Sequence, residues 1–185
     1  MLGKSHGHSN AIYSIRRVTR MLALVILLLV GAGFFLPTDY RVERSVIIDA
    51  NSESILDTAL DGRKLPLWMH VQNGRLRDSQ GQLSVGQSVA IDYQDKAVQG
   101  DLTLLSVSAS QFTFDVRPKP NVNLVQNQIR FLSVPQGTKV VWQIEGNLDV
   151  GFIGPYLALF ANDMAGENFE ISLQQLKNLV ESQVQ

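Results

Sequence analysis

Cysteine is absent from the 185 residues. That excludes a disulfide framework, a thiolate metal site and a cysteine nucleophile. Histidine is scarce, at three residues. His6 and His8 lie in a polar N-terminal stretch, and two imidazoles alone do not close a metal site. His70 then stands alone in the rest of the chain and reads as a solvated corner residue, ahead of a general base near a cavity mouth. A basic surface is also missing from the folded part. Lys4, Arg16, Arg17 and Arg20 precede every acid, and all 17 acids follow Leu36 against twelve remaining bases, a net of about −5. A nucleic-acid binder shows a basic patch or stripe on its fold, so that class is excluded. No G-x-S-x-G, H-E-x-x-H or phosphate-cradling glycine loop occurs. Asp163 and Glu167, one helical turn apart, read as a solvated face, and Asp92 and Asp115 should point to water. No catalytic constellation is visible, and no metal or cofactor is implied.

What the chain does have is one long apolar run. Met21–Leu36 carries no charge over 16 residues and follows Arg16, Arg17 and Arg20. Spanning ~30 Å of hydrocarbon takes about 20 helical residues, with about 17 as the low end. Adding Pro37 and Thr38 brings the run to 18 residues. Two readings fit. One is a signal anchor over 21–38 with its basic end, 1–20, in the cytoplasm. The other is a cleaved signal peptide ending near Gly31-Ala32-Gly33. Phe34, Phe35 and Leu36 prolong the run beyond that site, which favours the anchor. Both readings make residues 39–185 an extracytoplasmic domain, periplasmic where the host has an outer membrane.

Residues 39–185 form one domain by length. Tyr40–Ala50 reads as a strand with Val42, Val46 and Ile48 on one face, and Arg44 falls on that apolar face. Asn51 or Ser52 caps a short helix that carries Ile55, Leu56, Ala59 and Leu60 and ends at Gly62. Pro66 separates it from a second short helical corner. Alternation then marks strands at 75–78, 88–93, 97–107, 111–116, 124–133 and 138–146. Leu105 and Val107 break parity, as a bulge does. Gln136-Gly137 reads as a hairpin turn. From Pro155, apolar residues keep a helical period to Val180, interrupted by Gly166, which marks a bend or a close backbone approach. Phe160, Met164, Phe169, Leu173 and Leu176 should face the sheet, and Gln174, Gln175 and Glu181 should face water. The class is α+β: an antiparallel sheet whose apolar face only the last helix is long enough to cover.

The stretch FLPTDYRVERSVIIDANSESILDTALDGRKLPLWM resembles the opening of membrane-anchored SRPBCC (START-like, polyketide cyclase/dehydrase-like) proteins. GTKVVWQIEGNLDVGFIGPYLALFANDMAGENFEISLQQLKNLVE is similar to their ending. The resemblance spans Leu36 to about Glu181. It implies a helix-grip fold, a curved sheet of six or seven strands around a long C-terminal helix, with an apolar cavity between them. Relatives carry two or three tryptophans in the corner where this chain has Trp68 alone.

Pattern alone assigns Trp68, Met69, Phe112, Phe114, Phe131, Trp142, Phe160, Met164 and Phe169 to a core, whereas the resemblance implies that some of them line a cavity. Tyr93 and Tyr156 each offer a hydroxyl to orient a ligand, and Arg44 either bridges at the rim or meets an acidic head group. These twelve are the candidate ligand-binding residues. The expected function is a membrane-tethered domain that binds a lipid, quinone or isoprenoid. Its rivals are a cyclase or dehydratase that relies on cavity shape, and an envelope interaction module with no open cavity. The expected mouth lies between the corner at Leu65–Val71 and the helix start at Tyr156–Phe160. Trp68 acts there as a lid or plugs the core.

Overall fold

The computed structural model describes residues 7–95, 98–120, 124–147 and 151–184. Its elements run α1 (Gly7–Gly33), β1 (Asp39–Ile48), α2 (Ser52–Leu60), α3 (Leu65–Trp68), β2 (Gly74–Leu76), β3 (Ser88–Tyr93), β4 (Gln99–Ser108), β5 (Gln111–Arg117), β6 (Val125–Val134), β7 (Gly137–Asn147), a 3-10 turn (Gly151–Ile153) and α4 (Gly154–Val184). The strands make one seven-stranded antiparallel sheet in the order β1-β7-β6-β5-β4-β3-β2. Strands β2 to β7 follow one another as a meander. The first strand joins the far edge, beside β7, because α2 and α3 carry the chain across the sheet.

Local chemistry accounts for the breaks between elements. The Asn51 side chain accepts from the Ser54 amide at 2.8 Å, closing the first turn of α2. Pro66 sits in the first turn of α3, where its missing N–H costs nothing. The register of β4 on β5 shifts between Leu104 and Ser106, which is the bulge that the parity break announces. The hairpin between β6 and β7 differs by one position from the expected turn: Val134 pairs with Gly137 around Pro135 and Gln136. Gly137 takes φ +120°, and a Cβ there would collide with the Ile48 carbonyl oxygen. Only glycine lets the end of β1 pass so close.

The sheet sorts its faces by alternation. Val42, Ile48, Leu102, Phe114, Ile129 and Trp142 are buried on the concave side. On the other side Arg41 bridges Glu43 at 2.8 Å and Glu145 at 3.4 Å, and Arg130 reaches Glu43 at 3.5 Å. The last helix lies across the concave side against β1, α2 and α3. Phe169, Leu173, Leu176 and Val180 are its buried stripe, and Gln174 and Gln175 are exposed. Glu181 departs from the expected water-facing position. It is only partly exposed, accepts from the Asp49 amide at 3.0 Å and pairs with Lys177 at 3.7 Å. Phe160 and Met164 have side chains outside the described residues.

One expectation is corrected. The helix through the run 21–38 is shorter than expected. The first helix stops at Gly33, and Phe34 and Phe35 turn back through hydrogen bonds to Gly31 and Ala32. Its charge-free part, Met21–Gly33, is 13 residues, or ~20 Å at ~1.5 Å per residue. Among the described residues no helix is long and apolar enough to cross a membrane.

The buried stripe sets a stability expectation. Leu173→Ala and Leu176→Ala should each cost about 2–5 kcal/mol, whereas Gln174→Ala and Gln175→Ala should stay within about 0.5 kcal/mol. Denaturant unfolding of the four variants checks this. Equal losses at all four positions would contradict the assigned face.

Candidate functional site

The concave face is packed at one end and hollow at the other. At the packed end, Phe112 stacks on Phe114 at 5.8 Å and meets Phe131 at 6.0 Å. Toward the ends marked by Tyr40, Val116, Pro118 and Val125, the sheet and α4 part to leave a cavity of about 540 Å³. That is within the usual range for small-molecule sites. Its floor is the sheet, with Ile91, Leu102, Phe114, Trp142 and Ile144. One rim is the corner Met69–Gln72, and the other is α4, through Leu157, Ala165, Asn168 and Phe169.

Five of the twelve candidate residues are in this wall: Met69, Tyr93, Phe114, Trp142 and Phe169. Phe169 stacks flat on Trp142, with ring centroids 4.2 Å apart and planes 10° from parallel. This pair fixes the height of α4 above the sheet. Three candidates belong to the packed core. Phe112 and Phe131 fill its closed end. Trp68 is fully buried, meets Trp142 edge-on at 6.0 Å and donates its indole N–H to the Ala59 carbonyl at 3.2 Å. It packs under α2 and outside the cavity wall, so it plugs the core and is no lid. Tyr156 turns the other way, donating its hydroxyl to the Leu29 carbonyl of α1. Phe160 and Met164 again lie outside the described side chains.

Arg44 stands beside the cavity and outside its wall. Its Nε donates to Glu170 Oε1 at 2.5 Å, and its Nη1 donates to the Glu43 carbonyl at 2.9 Å. Its guanidinium lies directly over Gly166, where an added Cβ would be 2.7 Å from Cζ. The helical glycine is therefore a close approach, and Arg44 occupies the space that a side chain there would need.

Several wall residues escape the sequence reading. Asn127 is buried at an inward position of β6, between Val125 and Ile129. Its Oδ1 accepts from the Trp142 indole N–H at 2.9 Å, and its Nδ2 donates to the Val125 carbonyl at 2.8 Å. The strict alternation of β6 held the signal for it. Tyr40 sits on the edge strand β1, and Tyr93 on β3, next to the opposite edge strand β2. Each lies across a cross-strand glycine, Gly146 and Gly74 respectively, an aromatic covering a residue with no side chain. Burial pushes both phenols above the usual tyrosine value. His70, expected as a solvated corner residue, is instead half-buried in the wall, its amide donating to Ser172 Oγ at 2.9 Å. Leu157 and Asn168 lay in the last helix with nothing to single them out. No cluster of metal-ligating side chains occurs among the described residues.

Residues 39–181 match the profile of the family described as polyketide cyclase / dehydrase and lipid transport. Solved structures share the fold at low identity. A Staphylococcus aureus protein of unknown function is similar at a TM-score of 0.63 and 11% identity, over 79% of this chain and 96% of that one. A Chromobacterium violaceum protein is similar at 0.59 and 16%, over 76% and 96%. An AHSA1-like protein from Aeromonas hydrophila is similar at 0.55 and 15%, over 77% and 92%. No curated protein matches the chain.

A double-mutant cycle tests the Arg44–Gly166 packing. Gly166→Ala should destabilise by about 1–3 kcal/mol, and most of that loss should vanish in an Arg44→Ala background. Additive losses in urea unfolding would show that the clash lies elsewhere.

Proposed function

We propose that this chain, which belongs to the polyketide cyclase / dehydrase and lipid transport family, holds a hydrophobic small molecule of the lipid, quinone or isoprenoid class. The observation that carries this reading is the cavity of about 540 Å³ between the sheet and α4. Apolar residues dominate its wall, as they do where apolar ligands are held with a few placed polar groups. An open cavity weighs against an interaction module with a collapsed core. Binding is the role for which this wall is built, since no nucleophile with a base and no paired carboxylates converge on it among the described residues.

The same reading tethers the domain to a membrane through Met21–Leu36. Leu22 and Leu24–Leu29 are all at least half exposed on α1. A helix apolar all round belongs in lipid or a protein core rather than in water. The segment is short for a span, and a short span is accommodated by local thinning of the bilayer. Arg16, Arg17 and Arg20 then stay cytoplasmic, and residues 39–185 lie on the far side, in the periplasm where the host has an outer membrane.

Native mass spectrometry of the chain purified from its host tests the binding. A hydrophobic adduct released on activation is the expected result. A bare mass, together with no melting shift on addition of long-chain lipids, would refute the reading. Reporter fusions test the tether. Alkaline phosphatase fused after Gln185 should be active and a fluorescent protein there dark, with the chain resisting carbonate extraction. The reverse pattern would refute the export. A mature N-terminus near Phe34 would refute the tether alone.

A further inference from the structure

We infer that the molecule held in this cavity is uncharged and carries a carbonyl group that accepts a hydrogen bond from Asn127. The inference rests on the binding reading above and narrows it to a class of ligand.

The polar side chains of the wall are Tyr40, His70, Gln72, Tyr93, Asn127 and Asn168. No Lys, Arg, Asp or Glu stands among its described residues. Arg44, inward-facing on β1, is turned onto Glu170 and the Glu43 carbonyl, so its charge is engaged outside the cavity. The two wall tyrosines are pushed above their usual value by burial, which keeps their hydroxyls neutral. A charged head group brought among these residues would lose its water and meet no Lys, Arg, Asp or Glu among the described residues, a costly exchange with His70 as the single titratable imidazole of the described wall.

The polar group that remains deepest is Asn127, and its orientation is determined. An indole N–H only donates, so the amide oxygen must face Trp142. The amide nitrogen must then face the Val125 carbonyl, which takes one of its two hydrogens. The second hydrogen is the donor available to a guest. A donor held this way selects an acceptor without a charge, which is what the carbonyl of a ketone, quinone or ester provides. Tyr93 adds a hydroxyl on the same wall.

A matched series of eighteen-carbon chains, dibrominated at mid-chain, tests this on the full chain in lipid nanodiscs. Bromine quenches tryptophan on contact, and Trp142 is part of the wall. The members are a methyl ester, a plain alkane, an alkyl sulfate and an alkyl trimethylammonium. The ester should bind about three- to tenfold more tightly than the alkane. Both charged members should bind at least about tenfold more weakly than the ester. In the Asn127→Leu/Trp142→Phe variant, where both partners become apolar and neither is left unpaired, the melting shifts given by ester and alkane should become equal. A charged member that binds as tightly as the ester would overturn the inference alone. An ester no better than the alkane, or an ester preference that survives in the variant, would overturn the role of Asn127. No quenching by any member would overturn the binding reading itself. The series is read on the unaltered chain, so it decides the question of charge whether or not the variant folds.

Discussion

Everything in this structure follows from a mismatch in width. Seven strands at ~4.8 Å spacing make a sheet ~29 Å across. A single helix with its side chains is only ~10–12 Å wide. One helix laid on the concave face, packed mainly along the edge strand β1, therefore leaves the apolar surface of the strands beyond it uncovered. The chain answers differently at the two ends. At one it inserts α2 and α3, so that Trp68, Leu65 and Ile55 complete a close-packed core. At the other it inserts nothing, and the uncovered face becomes the wall of a cavity. The Trp142–Phe169 stack lies where the two regimes meet and touches both.

Polar groups on the concave face show how strictly that division is kept. Asn127 pairs with Trp142 and with its own strand, so its amide is specified in both identity and orientation. Arg44 is a full charge at an inward position, and it is accommodated by removing a side chain from α4 at Gly166 and supplying Glu170 one turn later. Each group is satisfied by a neighbour placed for it, as burial demands. Neither position is explained by the fold alone, since an apolar residue at either would extend the core.

The fold was largely legible because period and parity are local signals. Strand limits from alternation fall within a few residues of the observed ones, and the bulge in β4 was visible as a broken parity at Leu105. The N-cap and Gly166 were readable only to a pair of alternatives each, Asn51 or Ser52 and a bend or a close approach, and the structure selects Asn51 and the close approach. The partition between core and cavity was not. Phe112 and Phe114 are two residues apart on one strand face, with the same chemistry and the same burial. Only their distance along the strand from the uncovered end makes Phe114 wall and Phe112 core. That distance depends on where α2 and α3 cross the sheet, a tertiary fact that no local pattern encodes. Trp68 was ambiguous for the same reason: its direction under α2 depends on the turn at Asp61–Lys64. The length of α1 was misjudged because hydropathy has no phase. An apolar run does not say where its helix stops.

The cavity also has a thermodynamic consequence. A sealed, empty apolar hole of about 540 Å³ would cost on the order of 10 kcal/mol at ~24 cal/mol per Å³, comparable with the whole stability of a domain. This cavity is not enclosed, so solvent or a guest occupies it and that cost does not arise in full. Water against such a wall makes few hydrogen bonds, and an apolar guest returns it to bulk. A guest at a hundred times its dissociation constant then stabilises the folded state by about 2.7 kcal/mol. The hollow end of the sheet is therefore where loading and stability are coupled. The elements that feel it are those on the rim, α4 and the corner after α3. Through Tyr156, whose hydroxyl reaches the Leu29 carbonyl, the start of α4 is joined to α1. The first turn of α4 therefore touches both the cavity, through Leu157, and α1, through Tyr156.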